Sequence, residues 1–338
     1  MASINDVADL ANVSISTVSR VLNNHPNVSK KKKQAVKEAI EELDYVPNAL
    51  ARGLVTKNTY SIGILISDIA NDFYSILVRS IEDVLNKEGY FTVIGNTDWN
   101  KKKEKNYLNY FCQKQVDGFI LASTTLQKDE ISKYSRDLPV VLLDRDMESE
   151  NIDKIRIDDF KGGYLAASHL INAGYKKLIH IKGPRGIVSS EDRKEGFLKG
   201  IEESENFSGS VEIIAGHYVE EAGYEAIKNH MENRDISVSM GIFSANDAMA
   251  FGVLKYLNEN NIDCPQQIGL VGFDDVGLAS YTNPPLTTIT RPIPEIGHRA
   301  AEIILYRLGN KNKGEEYVCR DSKLDVQLVK RGSTIKKN

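Results

Sequence analysis

The sequence predicts an α/β protein with a small all-α head: a helix-turn-helix unit at the N-terminus, then a two-lobed body of doubly wound parallel sheets. Three observations lead there. Residues 4–22 hold two short helices, each with one apolar face, joined by a turn of about three or four residues. From Tyr60 onward, compact apolar runs of strand length alternate with amphipathic helical stretches. One phrase, a helix followed by Gly-Tyr and a strand, occurs twice, at Gly89 Tyr90 and at Gly174 Tyr175, which implies two similar α/β units rather than one long sheet.

In the head, Ile4, Val7, Ala8, Leu10 and Ala11 recur at helical spacing, and Ser3 with Asp6 has the form of a capping box. Asn12 tolerates the left-handed conformation and can end this helix; Ser14 can cap the next, which turns Val18, Val21 and Leu22 inward. Ile15, Ser16, Thr17, Ser19 and Arg20 are left facing out. That set suits a DNA major groove, where Arg reads guanine and an apolar or hydroxyl group meets a thymine methyl or a base edge. Hydrophobic spacing alone fits a plain three-helix packing unit equally well. After a loop at Asn23 to Asn27, Ser29 caps a third helix reaching Leu43, whose first turn is Lys30 Lys31 Lys32 Lys33. Four cations there oppose the helix macrodipole at about 0.3 to 1 kcal/mol each, so local stability is not their purpose. They form either a solvated charge run or a phosphate-binding edge. Pro47 then opens a short segment, Asn48 to Leu54, which contains Gly53; a helix this short is marginal in isolation.

The body opens with the buried-strand run Ile62 to Ile66, a helix from about Phe73 to Glu88, and a strand at Phe91 to Ile94. Further strands are expected at Gly118 to Ala122, Val140 to Leu143, Leu178 to Ile181, Val211 to Ile214, Gly241 to Ser244 and Ile268 to Gly272. Each is tied to a helical stretch, including one from about Phe160 to Ala173, as parallel strands with crossover helices require.

Two of these stretches are specific strings. Asp6 Val7 Ala8 with Val13 to Asn23, and Tyr45 Val46 Pro47 Asn48 Ala49 Leu50 Ala51 Arg52 Gly53 Leu54, resemble the headpiece and hinge of the lactose-repressor (LacI/GalR) family. The resemblance continues through Val271 Gly272 Phe273 Asp274 Asp275, Pro284 Pro285 Leu286 Thr287 Thr288 Ile289 and Leu328 Val329 Lys330 Arg331. It implies a homodimer on a pseudo-palindromic operator, a periplasmic-binding-protein-like sensor, and no cofactor. It places Ile15, Ser16 and Arg20 on bases, and Ser14, Thr17, Asn23, Ser29, Lys32 and Lys33 on phosphates. Leu54 and Ala51 would enter the minor groove from a hinge helix that is ordered only on DNA. The implied domains are 1–46 headpiece, 47–59 hinge and linker, 60–159 plus about 291–320 first lobe, and 160–290 plus about 321–338 second lobe. The dimer would be made by the helix after Phe73, by Phe251 and Leu254, and by Leu278 to Tyr281.

Parallel sheets bind ligands beyond the carboxyl ends of their strands, and two facing lobes offer two sets of ends to one cleft. Asp68, Ser123, Asp144, Asn246 and Asp274 follow strands and can hold hydroxyl groups. Arg193 can add a fork of donors, and Phe73 and Tyr218 can offer ring faces. Each has a bland reading as a helix cap or a core residue. Their agreement with the family's effector contacts makes them the expected site for a small sugar-like effector.

The net charge of −4 is unevenly spread: residues 1–60 hold 8 Lys and Arg against 6 Asp and Glu, leaving 35 against 41 for the rest. A basic head on an acidic body is the asymmetry expected if only the head meets phosphate. Cys112, Cys264 and Cys319 are odd in number and far apart, which argues against a disulfide framework or a paired-cysteine zinc site and for a reducing cytoplasm. Neither a leader nor an eighteen-residue apolar run is present. The six histidines show no metal spacing, and no phosphate loop, dinucleotide fingerprint or nucleophile elbow occurs, so no metal and no catalytic residue is expected. The expected function is a carbohydrate-responsive transcription repressor. A stand-alone cytoplasmic sugar-binding protein or a sugar-modifying enzyme on the same fold is the alternative.

Overall fold

The computed structural model describes the chain except residues 1, 23–24, 46–57, 137, 146, 148, 150, 206, 233–238, 311–317 and 335–338. It forms two units, residues 1–60 and 61–338. The expected hinge contacts at Ala51 and Leu54, and the phosphate contact at Asn23, lie outside the described residues.

In the first unit, α1 (Ile4–Leu10), α2 (Ile15–Leu22) and α3 (Lys30–Glu42) enclose a small core of Val7, Ala8, Val18, Val21, Val36 and Ala39. The start of α1 is the expected capping box: Asp6 N donates to Ser3 Oγ at 3.3 Å and Ser3 N to Asp6 Oδ2 at 2.7 Å. Ser3 N and the Ser3 hydroxyl both donate to the Asp6 carboxylate, which favours its ionised form and holds it below its ordinary range. Asn12 takes the left-handed conformation, φ 49°, that separates α1 from α2. Ser14 Oγ accepts from Thr17 N at 3.3 Å, and Ser29 Oγ accepts from Lys32 N at the start of α3.

The second unit holds two six-stranded sheets among the described residues. The first contains β1 (Ser61–Ile66), β2 (Phe91–Asn96), β3 (Gly118–Leu121), β4 (Val140–Leu143), β5 (Ile152–Ile157) and β11 (Asp321–Leu324), in the order β11-β5-β4-β3-β1-β2 and parallel throughout. The second contains β6 (Lys177–Lys182), β7 (Ser210–Ala215), β8 (Met240–Ser244), β9 (Ile268–Asp274), β10 (Thr287–Thr290) and β12 (Gln327–Val329), in the order β12-β10-β9-β8-β6-β7. Only its β10–β12 pair is antiparallel. Each sheet reverses direction beside its first strand, between β1 and β3 and between β6 and β8, and the carboxyl ends at such a reversal open a crevice.

The helices of this unit are α4 (Asp72–Leu85), α5 (Lys101–Gln113), α6 (Lys128–Ser135), α7 (Asp159–Asn172), α8 (Val188–Glu202), α9 (Glu220–Met231), α10 (Asp247–Glu259) and α11 (Ile293–Asn310). Helix α4 packs on α11 through Leu77, Ile81, Ile296 and Ala300, and each large apolar side chain buried there contributes about 1.5–3 kcal/mol. Helices α7 and α8 lie close enough that a Cβ on Gly196 would come within 1.8 Å of the Phe160 carbonyl oxygen. Only glycine permits that approach, and it seats Arg193 of α8 against Asp159 of α7.

The chain passes between the sheets at residue 158, at 291–292 and at 325–326. The last of these corrects an expectation. Residues 321–324, assigned to the second lobe, form β11 and pair with β5 of the first sheet, Ser322 opposite Ile155. Neither β11 nor its neighbour β5 is a continuous apolar run, because β11 is an edge strand and is covered on fewer sides.

Candidate functional site

Two surfaces carry the chemistry, one on each unit. On the head, the solvent side of α2 presents Ile15, half exposed, with Ser16 and Arg20 exposed beside it. Ser14 Oγ lies 2.9 Å from both Ser16 Oγ and Thr17 Oγ1, a hydroxyl cluster at the N-terminal end of the helix. Lys32 is exposed and Lys33 half-buried on α3, with Ser29 exposed at its cap.

In the second unit, a cavity of about 160 Å³ is walled by residues that follow the strands of both sheets. Phe73, Ser123, Asp144, Arg193, Tyr218, Asn246 and Asp274, all expected on sequence grounds, line it. Asp68 does not. Its carboxylate accepts from Ala70 N at 3.0 Å within the turn after β1, so the strand-end rule selected a residue that only shapes the loop. Asn71, three residues on, takes the place in the cavity wall: it caps α4 by accepting from Phe73 N at 3.0 Å.

Two guanidinium groups organise the cavity floor. Arg193, 2% exposed, donates from Nε to Asp159 Oδ1 at 2.7 Å and from Nη1 to the Ala245 carbonyl, and its charge lies 3.6 Å from the centre of the Phe273 ring. Arg291 stands on the crossing after β10 and ties the two lobes together. It donates from Nη1 to Asp274 Oδ1 of the second lobe at 3.2 Å and from Nη2 to Asp144 Oδ2 of the first, and lies 4.2 Å over the Phe73 ring. Burial alone disfavours its charge, but Asp144 and Asp274 hold it protonated. Burial pushes the Asp159 carboxyl up to about 6 against the pull of Arg193, and raises Asp274 likewise.

The backbone is strained at the same places. Asp144 (φ 56°) and Asp274 (φ 114°) both lie in the region that side chains rarely adopt, at a cost of about 1–3 kcal/mol each that the surrounding structure must over-determine. Among the described residues, Asp144 Oδ1 and Arg291 Nε are buried without a hydrogen-bond partner, so the cavity holds polar capacity that packing leaves unused.

Sequence reasoning missed several wall residues. Arg291 follows β10 and obeys the same strand-end rule, but no strand was expected at Thr287–Thr290. Trp99 follows β2 by three residues, and Thr124, Thr125 and Arg145 follow β3 and β4. Thr124 and Thr125 are fixed from behind by Glu104 of α5, 1% exposed, which accepts from Thr124 Oγ1 at 2.7 Å and Thr125 N at 2.9 Å. Nothing in a helical Lys-Glu-Lys string marks that carboxylate as buried. Of the expected dimer contacts, Leu278 and Tyr281 are exposed, the latter at 84%, and Phe251 is half-buried. Leu254 is a correction: it points into the second-lobe core with Val253 and Leu257, which leaves it 4% exposed and nothing to offer a partner.

Residues 3–48 match the family model for bacterial regulatory proteins of the lacI family, and residues 167–334 that for a periplasmic binding protein-like domain. The ribose operon repressor of Halalkalibacterium halodurans is 37% identical over 311 residues, 92% of each chain. This chain belongs to the LacI family. It is thus a DNA-binding transcriptional repressor. Another relative within the LacI family, the HTH-type transcriptional repressor PurR of Haemophilus influenzae, is 33% identical over 95% of each chain. Among solved structures, a lac repressor dimer bound to operator and the anti-inducer ONPF aligns at 28% identity and a TM-score of 0.84 over 99% of each chain. A LacI family regulator from Enterococcus faecium with bound ribose aligns at 29% identity and 0.73, over 82% of this chain and 100% of the other. Among the described residues no helix is long and apolar enough to cross a membrane, and no cluster of His, Cys, Asp and Glu is placed to hold a metal ion.

Proposed function

We propose that this LacI-family protein is a cytoplasmic homodimeric repressor of carbohydrate uptake or utilisation genes, and that a neutral monosaccharide of the ribose type binds in the cavity between its lobes. The observation that carries the ligand class is the charge balance of the cavity floor. Both buried guanidiniums are already matched by carboxylates, Arg193 by Asp159 and Arg291 by Asp144 and Asp274, so the ligand they favour brings hydroxyl groups and no charge. A purine, planar and aromatic throughout, stacks best between two open ring faces. Here Arg291 covers Phe73, and Tyr218 has Arg193 at 5.8 Å and Trp99 at 5.7 Å. The ribose operon relative and the ribose-bound neighbour agree with the sugar.

On the head, Ile15, Ser16 and Arg20 read bases while Ser14, Thr17, Ser29, Lys32 and Lys33 meet phosphates. Two heads address one pseudo-palindromic operator, as in the lac repressor dimer. Exposed Leu278 and Tyr281 are the described apolar groups that fit a dimer contact. Thermal unfolding of the purified chain with D-ribose, D-xylose, D-glucose, hypoxanthine and guanine tests the ligand class. A ligand at a hundred times its dissociation constant stabilises by about 2.7 kcal/mol, and a pentose should give that shift. A shift with a purine and none with any sugar would refute the reading.

A further inference from the structure

Trp99 is the chain's single tryptophan, and it packs against the core of a lobe other than its own. It stands in the loop after β2 with φ 56°, directly after Asp98 at φ 50°. Two consecutive side chains in the left-handed region, one of them an indole, persist only where the surroundings impose them.

The surroundings do impose them, from both ends. On the first lobe, Thr97 N and Asp98 N donate to the Ile66 and Ser67 carbonyls at 2.9 and 2.7 Å, and Asn96 Nδ2 donates to Asp98 Oδ1 at 2.7 Å. Lys103 pairs with the same Asp98 carboxylate, and Asn100 caps α5 by accepting from Lys102 N and Lys103 N. The indole fixed by this network leaves its own lobe. It packs against the apolar core of the second lobe, with its ring 5.7 Å from that of Tyr218 and 6.1 Å, edge to face, from that of His217. Tyr218 cannot retreat from it, because the Tyr218 ring lies on the Gly183 backbone, where a Cβ would meet it at 2.4 Å. Asn71 Nδ2, donating to the Tyr218 carbonyl at 3.5 Å, makes a second bridge across the same gap. Trp99, Tyr218 and Asn71 all line the cavity.

We propose that Trp99 is an effector-contact residue: its indole spans the two lobes over the cavity, offers a face to the C–H side of a sugar ring, and holds the lobes together while the sugar is bound. The proposal rests on the cavity being the effector site. An indole serves this purpose because it supplies a large, stiff apolar surface with few torsions to immobilise.

A single tryptophan makes the full-length chain its own probe. Titration with D-ribose, followed in parallel by tryptophan emission and by calorimetry, should give one saturation curve by both readouts. Trp99→Ala should weaken ribose binding at least tenfold in calorimetry, and Trp99→Phe, which keeps an aromatic face, should stay within about threefold of the parent. Ribose binding seen as heat with no change in emission would overturn the proposal, as would undiminished affinity in Trp99→Ala. If neither D-ribose, D-xylose nor D-glucose binds, the sugar reading fails, and the bridge across the lobes is judged without ligand. Acrylamide quenching of Trp99 should then rise at least twofold in Tyr218→Ala, and an unchanged quenching constant would overturn the bridge as well.

Discussion

At the scale of single residues, the cavity is built from groups that are costly to leave unpaired. Arg291 pairs with two carboxylates from different lobes, so Arg291→Met, which keeps the bulk and removes the charge, leaves Asp144 and Asp274 without their shared cation in a buried site. Unfolding in urea should show a loss of about 3–5 kcal/mol, the usual result of removing one partner of a buried ion pair. A loss below about 1 kcal/mol would show that water reaches the pair. His180 gives a different signal. It is fully buried, stacks on Phe243 at 4.6 Å, and donates from Nδ1 to the Phe243 carbonyl at 3.0 Å; burial pushes its pKa from 6.5 down to about 3. The unfolded chain therefore takes up a proton below about pH 6.5 that the folded chain refuses. The stabilisation is complete above about pH 6.5 and is lost as pH falls toward about 3, at up to about 1.4 kcal/mol per pH unit. Compared between pH 7 and pH 5 in urea, His180→Phe should lose less stability than the parent. Equal losses would place the proton elsewhere.

Much of this site was legible from one rule, that ligands meet the ends of parallel strands. The rule found Ser123, Asp144, Asn246 and Asp274 because β3, β4, β8 and β9 are buried apolar runs whose ends are visible in the sequence. It failed at Asp68, where the carboxylate two residues past the strand turns into its own loop. It could not reach Arg291, whose strand is polar in its hydroxyls and short. Leu254 was misplaced because Phe251 and Leu254, three apart, share a helix face whose direction only packing decides.

At the scale of elements, the proposed division of DNA binding, bases by α2 and phosphates by α3, makes their substitutions separate. Arg20→Ala should cost about 1–3 kcal/mol on the specific operator and relax one position per half-site. Lys32→Ala should weaken specific and random DNA alike and flatten the salt dependence by roughly one unit for each phosphate it no longer neutralises. Anisotropy titrations on both duplexes at several salt concentrations distinguish the two patterns. Equal weakening by Arg20→Ala on both duplexes would remove α2 from the bases, and an unchanged slope in Lys32→Ala would return the lysine run to solvent. In the second unit, the repeated Gly-Tyr phrase foretold two sheets. The strands it did not foretell, β5, β10, β11 and β12, interleave polar with apolar positions and lie toward the outer part of each sheet, where a continuous apolar run is not required.

At the scale of the whole molecule, three crossings join the lobes, and each lies beside a charged group: Asp158 and Asp159 at the first, Arg291 at the second, Asp325 at the third. Arg291, bonded to both lobes, is also part of the cavity, so a ligand that shifted Asp144 relative to Asp274 would act directly on a contact between the lobes. Any effect of that angle on the heads must run both ways, since coupling between two binding sites is reciprocal. The most direct test is one thermodynamic cycle on the purified chain. Operator affinity is measured by anisotropy with and without saturating D-ribose, and ribose affinity by calorimetry with and without operator. Both ratios should differ from one by the same factor, about 5-fold to 150-fold for coupling of ordinary strength. Ribose that binds the cavity and leaves operator affinity unchanged would contradict an effector-controlled repressor.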